Sequence, residues 1–63
     1  MVLSTQAAHA QSAVDHLNRG NTKYHLRDYQ GAIADYNKAL EINPQYANAY
    51  NNRGNAKYGL GDQ

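Results

Sequence analysis

Apolar residues recur at steps of three and four through residues 28–44, and this spacing predicts an amphipathic helix. Ala32, Ile33, Tyr36, Ala39 and Leu40 fall on one stripe, which Ile42 extends. Asp28 stands just ahead of the stripe, where its carboxylate can accept a hydrogen bond from a free amide of the first turn. Pro44 ends the helix, because proline has no amide hydrogen and disfavours the helical conformation at Asn43. A single helix of this length is marginal in water, so its stripe needs neighbours.

The flanking segments supply them. In residues 13–26, Val14, Leu17, Tyr24 and Leu26 bring apolar mass, and Ala13, His16, Gly20 and Lys23 form a second line at helical spacing. A glycine inside a helix costs about 1 kcal/mol relative to alanine. Close approach of the neighbouring helix would justify Gly20. The connection around Arg27 and Asp28 is short, so the two helices should be antiparallel. Residues 1–12 favour helix weakly and show little apolar periodicity. They read as a lead-in that either extends the first helix, with Ser4 or Thr5 as its cap, or frays.

Past Pro44 the first helix returns. Residues 16–29 shifted by 34 fall on residues 50–63, and eight of the fourteen positions are identical. They are Asn18/Asn52, Arg19/Arg53, Gly20/Gly54, Asn21/Asn55, Lys23/Lys57, Tyr24/Tyr58, Leu26/Leu60 and Asp28/Asp62. This internal repeat is the strongest signal in the chain. Gly59 and Gly61 mark the end of a third helix, and Gly61-Asp62 repeats the turn between the first two. The sequence thus reads as 1–12, a lead-in; 13–46, one complete two-helix repeat; and 47–63, the first helix of a truncated second repeat.

A 34-residue period of two antiparallel helices resembles the tetratricopeptide (TPR) repeat. Gly20, Tyr24, Ala32, Tyr36, Ala39 and Pro44 carry that resemblance in the first repeat, and Tyr50, Gly54, Ala56 and Tyr58 in the second. The wording of residues 52–58 and 32–44 is similar to bacterial members of the family. The resemblance covers residues 13–63 and implies an all-α fold, a three-helix fragment of an α-solenoid. The chain departs from the family at several positions. His16 replaces a large aromatic, Arg19 and Arg53 stand where leucine is usual, and Lys23 and Lys57 where tyrosine is common. Their aliphatic stems can cover core surface while the charges reach water.

Composition narrows what such a chain can do. Its 63 residues are close to the lower limit for an unaided hydrophobic core, and it has no cysteine for a disulfide or thiolate site. The lack of cysteine fits a cytoplasmic protein. A net charge of +1, with six Lys and Arg dispersed along the chain, leaves no footprint for nucleic acid or an anionic membrane. No apolar run is long enough to span a bilayer, and the N-terminus lacks the features of a signal peptide. His9, His16 and His25 have no companion ligands at a metal-binding spacing, so neither metal nor cofactor is expected. Asp15, Asp28, Asp35, Glu41 and Asp62 read as caps and solvated faces, with Asp35 paired to Lys38 three residues on. No nucleophile has a base at a fixed spacing and no phosphate loop is present, so an enzyme is not expected.

Two function classes remain. In stacked repeats of the family the first helices line a concave groove for an extended peptide. By resemblance, Leu17, Asn18, Asn21, Asn48, Asn52 and Asn55 belong to such a groove. Asparagine amides both donate and accept, and so can pair with a peptide backbone whatever its side chains. Asn21 and Asn52 match the asparagines of the family's carboxylate clamp, but Leu17 stands where its first lysine belongs, which speaks against that specialised mode. The alternative is a self-assembly module, in which Tyr50, Ala56, Tyr58 and Leu60 form an open edge that pairs chains into a homo-oligomer. A fragment of a longer repeat array is a third possibility.

Overall fold

The computed structural model describes residues 2–61, with side chains from residue 12 onward. Three helices follow one another: α1, Val2–His25; α2, Tyr29–Ile42; and α3, Ala47–Gly59. The described chain is all-α, an antiparallel helix pair followed by a third helix. The backbone of α1 is continuous from Val2, so the segment ahead of Ala13 belongs to the same helix. The cap expected of Ser4 or Thr5, the His9 side chain and the turn at Asp62 lie outside the described residues.

The turn between α1 and α2 is a Schellman motif. The Arg27 amide donates to the Tyr24 carbonyl at 2.9 Å, and the Asp28 amide to the Lys23 carbonyl at 2.8 Å. This motif places one residue in the left-handed region, and here Arg27 takes it, at φ 66°. A side chain there costs roughly 1–2 kcal/mol. One repeat later the same place holds Gly61, at φ 79°. The chain then enters α2 through Asp28, whose Oδ1 accepts from the Gly31 amide at 3.0 Å, as the sequence predicts. At the far end Asn43 leaves the helical region (φ −132°, ψ 92°). Its Oδ1 accepts from the Gln45 amide at 3.1 Å and carries the chain around Pro44.

Helix α2 lies between the other two, which barely touch each other. Its buried residues Ala32, Tyr36, Ala39 and Leu40 meet Leu17 of α1 and Ala49 and Ala56 of α3. Alanines dominate this core, so the helices can approach closely, and Tyr36 supplies the bulk at only 1% exposure. Gly20 completes the fit. A Cβ placed there would lie 2.5 Å from Tyr36 Cε1, so the glycine is the socket for that ring. Two apolar residues, one in α1 and one just past its end, face away from the core: Val14 is partly open and Leu26 is 74% exposed. Of the four residues expected to give α1 its apolar mass, only Leu17 and Tyr24 join the core.

The two equivalent glycines are expected to respond oppositely to the same substitution. Gly20→Ala forces a methyl into the Tyr36 ring and should cost about 1–3 kcal/mol. At Gly54 an added Cβ would meet no atom within 4 Å, so Gly54→Ala should gain about 1 kcal/mol through helix propensity. Arg27→Gly removes the left-handed strain and should gain about 1 kcal/mol. Urea denaturation of the three variants checks these signs. Equal effects at Gly20 and Gly54 would contradict the packing described.

Candidate functional site

One residue from each helix meets at a junction of the three helices. The Tyr36 hydroxyl donates to Asn21 Oδ1 at 2.7 Å, and Asn52 Nδ2 donates to the same oxygen at 2.9 Å. Both acceptor positions of the Asn21 carbonyl are therefore used inside the protein. The Asn21 amide nitrogen and the Asn52 carbonyl remain for other partners. Burial raises the Tyr36 pKa above the ordinary phenol value, and the charges of Tyr24 and Asp35 add to the rise. The hydroxyl accordingly stays protonated and keeps donating at neutral pH.

Around this junction is an open hollow of about 240 Å³ lined by Asn21, Tyr24, His25, Tyr36, Asn52 and Asn55. No Lys, Arg, Asp or Glu is among the lining residues. Of the six residues expected to form a groove, Asn21, Asn52 and Asn55 line the hollow. Asn18 and Asn48 are exposed outside it. Leu17 is a correction. It is buried at 7% exposure in the core, because Ala13, Leu17 and Gly20 make up the line of α1 that faces α2.

Tyr24, His25 and Tyr36 are lining residues that sequence reasoning does not place there. A buried tyrosine hydroxyl must find a partner. That rule, applied to Tyr36 on its apolar stripe, points to a polar neighbour.

The expected open edge of α3 is also revised. Tyr50, Tyr58 and Leu60 are exposed, Tyr58 to 72%. Ala56 is fully buried, since it shares the face of α3 that packs on α2 with Ala49.

A second polar cluster ties α1 to α2. Asp35, expected on a solvated face beside Lys38, is only 6% exposed. Lys23 Nζ lies 2.8 Å from its Oδ2, while His16 Nδ1 is 3.1 Å and Arg19 Nε 3.7 Å from its Oδ1. Lys38 instead lies 3.8 Å from Glu41. Lys23, expected to extend its charge into water, thus turns toward a buried carboxylate. Burial alone would raise the Asp35 pKa. The close ion pair with Lys23, the hydrogen bond from His16 and the positive charge of Arg19 outweigh it and hold the carboxyl below the ordinary aspartate value. Among the described residues, no three His, Cys, Asp or Glu side chains form a metal-binding group.

Both clusters yield tests. Tyr36→Phe removes the donor to Asn21 and should cost about 1 kcal/mol. Asp35→Asn should cost about 1–3 kcal/mol at neutral pH, where hydrogen bonds to a charged group are lost. Because the folded-state pKa of Asp35 is depressed, its contribution is complete above the unfolded aspartate pKa and is lost as pH falls through the folded one. Urea midpoints of wild type and Asp35→Asn should therefore differ at pH 7 and converge in acid. A gap that stays constant with pH would contradict this role for the carboxylate.

No helix of the described residues is long and apolar enough to cross a membrane. No curated protein and no solved structure matches the chain. A family model for the TPR repeat matches residues 20–61, which is 42 of the 63 residues. It includes both glycine-bearing helix segments and all of α2 between them. With its helix-turn-helix repeat and that match, the chain belongs to the TPR repeat family, whose repeats are typically non-enzymatic scaffolds for protein–protein interaction.

Proposed function

We propose that the concave side holds an extended peptide segment of a protein partner through the asparagine amides of α1 and α3. The observation that carries this reading is the uncharged hollow bounded by Asn21, Asn52 and Asn55, with Tyr24 and His25 as aromatic wall. Asn21 is already fixed by two internal hydrogen bonds, so its free amide nitrogen is presented in a defined direction. A fixed donor next to the Asn52 carbonyl matches a backbone amide, which offers one acceptor and one donor. The hollow is smaller than a typical small-molecule pocket of roughly 300–1,000 Å³. It accommodates about one residue of a longer ligand, and the rest of the peptide would run along the helices.

Asn52→Ala combined with Asn55→Ala is expected to weaken capture of neutral peptides from an immobilised library by roughly thirtyfold, as the loss of two hydrogen bonds of about 1 kcal/mol each implies. Equal capture by the double variant and wild type would remove the hollow from the account.

A specific observation favours a second reading, self-association. Among the described residues, three of the five exposed large apolar side chains, Tyr50, Tyr58 and Leu60, lie on α3 or at its end. A homo-oligomer joined there should unfold at a temperature that rises with protein concentration. A midpoint unchanged over a hundredfold range of concentration would eliminate it.

A further inference from the structure

Histidine is the side chain whose charge changes between about pH 5 and 8, and of the residues lining the hollow only His25 is one. With it stand Tyr24 of α1 and Tyr36 of α2, a residue type that ionises only well above neutrality, and Asn21, Asn52 and Asn55, which do not titrate. Ring contacts across all three helices fix where the imidazole stands. It meets the Tyr24 ring edge-on, with centroids 5.8 Å apart. Tyr24 meets Tyr29 of α2 in the same manner at 5.4 Å. The Tyr29 ring lies over Gly59 of α3, where an added Cβ would come within 2.8 Å of it. Gly59 is the counterpart of His25 one repeat later, so the second copy has no room for a side chain where the first carries the imidazole. The charged groups of the surroundings lie elsewhere. Lys23 is paired with Asp35, Asp28 caps α2, and Arg27 and Lys57 are exposed outside the lining.

We infer that His25 gives the hollow a pH-dependent preference for a peptide carrying an acidic side chain. The protonated imidazole donates a hydrogen bond to the carboxylate of the bound residue. No lining carboxylate competes for that proton, and no lining ammonium or guanidinium supplies a positive charge that would persist at high pH. The hollow therefore prefers Asp or Glu over the matching amide in mild acid, and loses the preference when the imidazole gives up its proton. It is open to water, so the pair is worth up to about fivefold in affinity and weakens with salt. This selectivity rests on the peptide reading of the hollow. It adds the side chain that is selected and the condition under which selection operates.

The probes are acetyl-Ala-Ala-Glu-Ala-Ala-amide and its Gln counterpart, whose capped ends leave the central side chain as the one difference in charge. Each is titrated into the full chain at about pH 5.5 and about pH 8, near the two ends of the histidine range. The side-chain amide signals of Asn21, Asn52 and Asn55 are followed by NMR. The Glu peptide is expected to bind up to about fivefold tighter than the Gln peptide at the lower pH and equally at the higher. The His25 imidazole signals should titrate at higher pH with the Glu peptide bound than with the Gln peptide, since the coupling is reciprocal. His25→Gln should erase the pH dependence, and His25→Lys should make the Glu preference present at both pH values. His25 is exposed, so both variants should fold, and circular dichroism checks it. A Glu preference that is equal at both pH values in the wild type, or that survives in His25→Gln, assigns the charge to another group such as Arg27 and overturns the inference. Equal binding of the two peptides throughout also overturns it, while leaving the hollow as a peptide site. Amide signals that neither peptide shifts at either pH overturn both.

Discussion

The contact between the Tyr36 ring and Gly20 governs this small fold. Its core is mainly alanine, which brings helices close but buries little apolar area per residue. One large side chain must therefore fill the centre, and it can do so only where the facing helix has no side chain. The ring also delivers its hydroxyl to the hollow, where Asn21 receives it. The same residue sets the spacing of α1 and α2 and fixes a polar group at the junction of all three helices. An asparagine-bearing surface on such short helices would otherwise have little to hold it in place.

The Asp35 cluster serves a different purpose. Desolvating a carboxylate is costly, and a lone buried one would rather be protonated. Three cationic or hydrogen-bonding groups from α1 reverse that balance. All three come from the helix that α2 must recognise, so the cluster favours one rotational setting of α2 against α1 and penalises others. Apolar contact among alanines is nearly indifferent to such rotations. We attribute the register of the pair to the polar cluster and its closeness to the tyrosine and glycine.

Much of this is legible in the sequence. Steps of three and four locate α2, Asp28 and Pro44 mark its ends, and the shift of 34 exposes the repeat. Gly20 points to a close approach without revealing the ring that fills it. Side-chain direction is less legible. Hydrophobicity puts Val14 and Leu26 inside and Asp35 outside, and the helix packing does the reverse. Only the pairing of Lys23 and His16 with Asp35 makes a charged residue a core residue, and that pairing spans two helices. Leu17 is misplaced for a related reason. Assignment by motif gives it a ligand-binding role, whereas the line it shares with Ala13 and Gly20 faces α2. The part of the site that can be read is the asparagine set, because it recurs with the repeat. Tyr24, His25 and Tyr36 enter it only through three-dimensional proximity.

The shared acceptor at Asn21 ties the hollow to the interior. Its carbonyl serves a buried phenol and a partly exposed amide at once. A ligand that draws Asn52 away changes how strongly Asn21 can hold Tyr36, and the effect is reciprocal by thermodynamic necessity. Were a ligand to occupy the hollow, its binding and the integrity of the helix junction would be linked equilibria. The chain has six tyrosines and no tryptophan, so the ultraviolet signal of the folded protein is largely a tyrosine signal. Tyr36 contributes one of six overlapping tyrosine signals to it.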